Sequence, residues 1–232
     1  MAGTMVHMLT CKITLEKLPQ GKITSIPAFY VGNFAPDTIQ ERPGYKREWK
    51  MHTHFRTGIA DCDFFQPDNL CLFEQRLKEF AKKQLPLCST AAEYDFYLGY
   101  ITHMLTDEEF MCSVRQEFME AVSADGLTQF QEETFVRFTY DVDQIDFRIA
   151  AEEAGMDKVY DYIREAPVFG VREMVSAEEI SKGKEWVLHT YYDNRPVYGE
   201  PVYLSYERMV SFAGKTAKNI VRRLDDFLPD GQ

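Results

Sequence analysis

The stretch Tyr94–Phe110, YDFYLGYITHMLTDEEF, decides how this chain is read. Read as a helix, it places Phe96, Tyr100, His103 and Asp107 along one stripe, at spacings of four, three and four. An imidazole and a carboxylate four residues apart point the same way, so both can reach one cation. The same pair also occurs as a plain ion pair on a helix surface. Gly99 stands one turn before His103, and with no side chain there something bulky can sit close to the backbone.

Toward the N-terminus, residues 5–18 form a short helix with Met5, Met8, Leu9, Ile13 and Leu15 on its apolar side and His7 beside them. An apolar run from Ile26 to Phe34, interrupted by Pro27, Gly32 and Asn33, ends in Ala35-Pro36-Asp37, where the proline makes Asp37 a loop or helix-start residue. Thr38 to Asn69 is polar and irregular and contains Trp49-Lys50-Met51-His52-Thr53-His54-Phe55. A loop of that length in a compact domain is usually functional or tied down. Leu70–Lys83 reads as an amphipathic helix, and Ser89 or Thr90 caps the central one, which continues or restarts to Val122.

Beyond Asp125-Gly126 the period stays helical over Phe130–Glu153, Met156–Glu165 and Ala177–Tyr191, the last capped by Ser176. Tyr192–Tyr203 reads as a loop, and Val202–Leu228 as a final helix, either continuous or in two pieces around Gly214. Period-two alternation is almost absent. The expectation is an all-α, single-domain multi-helix bundle over residues 1–232. Residues 1–124 form its metal-site half and 125–232 a helical half of unassigned role.

Composition narrows the function. The formal charge is −11, from 37 acidic and 26 basic residues. That balance lacks the general attraction for phosphate backbones, so a polymeric nucleic-acid partner is disfavoured. Five scattered cysteines without a C-x-x-C pair fit neither a disulfide framework nor a zinc finger, and suggest free thiols in a reducing compartment. With no secretory leader and no membrane span, the expectation is a cytoplasmic protein.

There are five histidines: His7, His52, His54, His103 and His189. Neutral imidazoles with carboxylates are the ligand set of zinc or a similar divalent ion, and helical scaffolds build such sites from facing helices. If His52-Thr53-His54 is extended, both rings point to one side; if helical, one faces inward. His189 reads as a packed or capping residue, and Lys46, Arg47, Lys50 and Arg56 as loop charges, either solvated or placed to position a phosphate. Arg222-Arg223 reads as a solvated helix end.

The order His7, Ala35-Pro36-Asp37, His54-Phe55, then Phe96-Tyr97-Leu98-Gly99 with His103-x-x-x-Asp107 resembles the zinc-dependent phospholipase C family. The likeness covers roughly residues 5–111, and the tetrapeptide with His-x-x-x-Asp is its most specific part. It implies that Asp37, His54, His103 and Asp107 hold one metal and that His7 ligates a second, with Asp107 bridging. His52 is an additional candidate. The family's further histidine and its His-x-x-x-Glu pair are missing here. A third site is then either absent or rebuilt from carboxylates such as Glu108, Asp143 or Asp146.

The resemblance implies a metal-dependent hydrolase of phosphate esters or diesters, holding one or two zinc ions and using a metal-activated water as nucleophile. Asp37 would also orient or deprotonate that water. The substrate would be a small-molecule or lipid-headgroup phosphoester. A reading of another class is a non-catalytic helical protein whose metal pins the His52–Phe55 loop to the central helix. A third is an acidic interaction protein whose histidines are incidental.

Overall fold

Two glycines set the centre of the molecule. In the computed structural model, which describes residues 1–228, α2 (Ile26–Phe34) and α5 (Ala91–Cys112) cross in direct backbone contact. A Cβ on Gly32 would stand 1.9 Å from the Phe96 carbonyl oxygen, and one on Gly99 would stand 2.1 Å from that of Phe29. Any side chain at either position would force the helices apart. What sits against Gly99 is therefore the backbone of a neighbouring helix.

The central helix starts where Thr90 accepts from the Glu93 amide and is buried continuously from Asp95 to Asp107. A helix buried on every side belongs at the core of a bundle, and its neighbours surround it. These include α1 (Thr4–Lys17), α4 (Pro67–Gln84), α6 (Val114–Ala124) and α10 (Tyr206–Arg223). The second half adds α7 (Glu132–Glu152), α8 (Met156–Glu165) and α9 (Ala177–Val187) around the same core. Among the described residues the one β feature is an isolated bridge between Val171 and Val175. The all-α expectation holds, and among the described residues no helix is long and apolar enough to cross a membrane.

Three local expectations need correction. The polar region 38–69 is not one loop: it holds a 3-10 segment at Ala35–Glu41, a short helix α3 (Arg47–Thr53) and a 3-10 turn at Asp61–Asp63. The last helix starts at Tyr206, capped by Ser205, and runs unbroken through Gly214 to Arg223. Gly214 faces open space, so nothing there demands a break. His189 is exposed rather than packed, on a π-helical turn (Leu188–Asp193) that continues α9.

Candidate metal centre

Each element delivers one or two polar side chains to a single buried point. α1 brings His7, α5 brings His103 and Asp107, the 3-10 segment that includes Pro36 brings Asp37, and the end of α3 brings His54. Their donor atoms form two overlapping triads, His7–His103–Asp107 and Asp37–His54–His103, each within 4.8 Å. The five residues named from sequence as metal ligands thus meet, with His103 common to both triads. His7, His54 and His103 are each 1% exposed, so the histidines themselves are shut off from bulk water.

Asp107 joins the two ends of the cluster. Its Oδ1 lies 3.3 Å from His7 Nε2 and accepts from the Ala2 amide at 3.0 Å. Its Oδ2 lies 3.6 Å from His103 Nε2 and 3.7 Å from His54 Nε2. One carboxylate oxygen therefore faces each side, as a bridging ligand requires. His103 Nε2 and His54 Nε2 are 3.3 Å apart, and the His7 and His103 rings stack at 3.8 Å.

The surroundings aim the rings. His103 Nδ1 faces the Asn33 carbonyl oxygen at 2.6 Å, and His54 Nδ1 faces the Lys50 carbonyl oxygen at 2.9 Å. Donation from each Nδ1–H leaves Nε2 with its lone pair toward the centre, the arrangement of metal-binding histidines. The α2–α5 contact is what lets Asn33 reach His103. Tyr100 ties in the other element, donating to the Thr53 carbonyl at 2.6 Å, while Thr53 donates to the Pro36 carbonyl at 3.1 Å. Just past His54 the chain turns at Phe55, whose φ of 57° is rare for a bulky residue. Its buried ring holds the turn against Phe80 and Tyr100.

Electrostatics prepare the same groups. Burial lowers the pKa of His7 to about 4, the neighbouring His103 adds to this, and Asp107 opposes it. Burial also lowers His54, against the pull of Asp37. Burial alone would raise both carboxyls, but Lys50 and His54 hold Asp37 well below the usual range, and His103 and His7 do so for Asp107. Neutral imidazoles beside ionised carboxylates are the protonation states a divalent cation requires. Both nitrogens of His7 and Oδ2 of Asp107 are buried without a hydrogen-bond partner. Orphaned buried atoms of this kind are costly, and a cation held among them removes the cost. The donor set fits zinc or a similar ion.

His52 is not part of the cluster. Because α3 is helical, His52 faces solvent and His54 faces inward. The carboxylates proposed for a third site do not assemble either. Glu108 pairs with Arg223 at 2.9 Å, which also shows that the end of α10 is not simply solvated. Asp146 accepts from the Val6 amide at 3.2 Å and from the Tyr191 hydroxyl at 3.4 Å, capping α1 from across the fold. Burial raises its pKa to about 7. Asp143 is half-buried nearby, and neither belongs to a metal-binding group among the described residues.

A cleft of about 490 Å³ opens onto the centre at Asp37 and His54. Its walls include Lys50, Arg56 and Arg115 on one side of the chain and Phe138, Asp143 and Trp186 from the second half. Two of the loop cations prove not to be solvated: Lys50 lies 2.7 Å from Asp37 Oδ1, and buried Arg56 pairs with Asp61. Asn33, Asp61 and Arg115 carried no spacing signal in the sequence, because their roles come from tertiary neighbours. No family model, no curated protein and no solved structure matches this chain.

Proposed function

We propose that this protein is a metal-dependent hydrolase of phosphate esters or diesters. The observation that carries the reading is the meeting of His7, Asp37, His54, His103 and Asp107 beneath a cleft open to solvent, with the Lys50 ammonium beside Asp37 at its wall. The order of motifs that resembles zinc-dependent phospholipases C supports the same chemistry. A divalent ion in this centre would polarise a phosphoryl oxygen and acidify a water molecule.

The chain's own residues supply the rest. Asp37 is the carboxylate that borders both the cleft and the cluster, and it is ionised at neutral pH, so it can accept a proton from water or orient it for attack. Lys50, beside Asp37, can donate to a phosphoryl oxygen. The new bond joins water oxygen to phosphorus, the ester P–O bond breaks, and the leaving oxygen takes up a proton. The fully buried His103 and Asp107 hold the geometry and exclude water from the far side.

The test is hydrolysis of bis(4-nitrophenyl) phosphate and 4-nitrophenyl phosphate by zinc-loaded protein, wild type beside Asp37→Asn. Turnover in the wild type that falls at least about a hundredfold in the variant supports the reading. Absence of turnover on both esters, with zinc bound, favours the second reading, a structural ion that pins the His54 segment to α5. The depth of the His7–His103–Asp107 triad is the observation on that side.

A further inference from the structure

Arg115 stands apart from the other cations of the cleft. Arg47 and Arg56 share Asp61, at 2.6 Å and 2.5 Å, and Lys50 is held by Asp37. Arg115 has no carboxylate partner among the described residues, although it is half-buried at the start of α6. Its guanidinium is held by two aromatic rings, 5.3 Å from the centre of Phe118 and 4.7 Å from that of Phe138. These rings fix its direction without neutralising it. Burial lowers its pKa, with Asp61 opposing and Arg47 and Arg56 adding.

An unpaired, partly desolvated cation is expensive unless something completes it. This one lines the same cleft as Asp37 and His54. The neighbouring arginines leave it no spare carboxylate, since Asp61 is already engaged twice. Of the acids on the α7 wall, Asp146 turns its oxygens to the α1 amide and Tyr191, which leaves Asp143 as the free one. The guanidinium fork is suited to a phosphate or carboxylate, taken by two parallel hydrogen bonds.

Resting on the hydrolase reading, we infer that Arg115 forms a subsite for a second anionic group, so that the preferred ester carries a further phosphate or carboxylate besides the phosphate at the metal centre. The rest of the protein is strongly acidic, with a formal charge of −11, so a local cationic subsite also selects where an anion can enter. Neutral or singly charged esters would use the metal centre without this contact. Arg115 is then a specificity-determining residue rather than a catalytic one.

The test compares three non-hydrolysable probes on zinc-loaded protein by calorimetry: propylphosphonate, 3-phosphonopropionate and propane-1,3-diphosphonate. One of the two doubly functional probes is expected to bind about tenfold tighter than propylphosphonate, and which one tells a carboxylate subsite from a phosphate subsite. Arg115→Met keeps the stem on Phe118 and Phe138 and should reduce that preference to within about twofold, leaving propylphosphonate unchanged. Arg115→Lys should restore part of it. Equal binding of the three probes by folded, zinc-loaded wild type would overturn the subsite alone, as would a preference that survives Arg115→Met. Absence of zinc from the same samples would overturn the metal centre and the subsite together.

Discussion

Asn33 accepts a hydrogen bond from the Nδ1 side of His103 at 2.6 Å, and this contact exists because α2 and α5 touch at Gly32 and Gly99. Backbone packing and the geometry of the candidate metal centre are therefore one design. A methyl group at position 99 would collide with the Phe29 carbonyl at 2.1 Å and with the Asn33 amide at 2.9 Å. Gly99→Ala should destabilise the protein by about 1–3 kcal/mol through overpacking. It should also weaken zinc binding, because Asn33 can no longer orient His103. Thermal melting and zinc titration on one sample check both. Unchanged zinc affinity in a destabilised Gly99→Ala protein would separate the packing from the site.

His52 and His54 give a sharper contrast. They lie two residues apart, yet one is exposed and the other is 1% exposed within the cluster. His54→Ala should lower zinc affinity by more than about a hundredfold, above the effect of losing an outer-shell partner. His52→Ala should leave it within about twofold, as expected for a surface change. Competition with a chromogenic chelator measures both. Equal losses would mean that the segment binds metal in an extended form.

Protonation supplies an independent check on His7. Its pKa falls from 6.5 to about 4 in the folded protein, first because it is buried. Between those values the unfolded chain binds a proton that the folded chain does not, so this residue lowers stability as pH falls from about 6.5 to 4. Asp146 acts in the opposite sense. Its carboxyl, raised from 3.8 to about 7, contributes stability at low pH that is lost as pH rises through 7. Asp37 and Asp107 titrate below this window in the folded state. The informative quantity is thus the difference between proteins. In metal-free form, His7→Gln should lose less stability than wild type from pH 6.5 to 4, by denaturant titration at each pH. Parallel curves would show that His7 is not held neutral.

Asp146 caps α1 from a distant helix, accepting from the Val6 amide. Asp146→Ala leaves that amide buried and unpaired and should cost about 1–2 kcal/mol. Amide exchange should speed up first at the start of α1, ahead of His7. Exchange that rises uniformly over the chain would argue against a local capping role.

The central helix was readable because its aromatic and polar residues fall at helical spacing, and the structure buries every residue from Asp95 to Asp107. His7, Asp37, His54 and His103 were accessible from chain order, once a likeness linked pieces that carry little signal singly. α3 escaped notice for a physical reason: of its seven residues only Thr53 is buried, so it has almost no apolar face to produce a period. The α2 run was equally silent, since a helix with Pro27 near its start and Gly32 against a neighbour's backbone looks like an interrupted stretch. Asn33, Asp146 and Arg115 act through residues distant in the chain, and no local pattern points to such partners. Of the residues named for metal binding, His52 was displaced because local helicity, not extension, governs α3.

The most direct measurement is metal content of the purified protein by mass spectrometry, wild type beside Asp107→Ala, with circular dichroism to show that both are folded. Asp107 has one oxygen toward His7 and the other toward His54 and His103, so its loss removes a member of the first triad and strips the second of the carboxylate oxygen facing two of its rings. About one or two zinc or related ions per wild-type chain are expected, and none in the folded variant. A wild-type protein that holds no metal and takes none up, with the variant equally stable, would contradict that expectation.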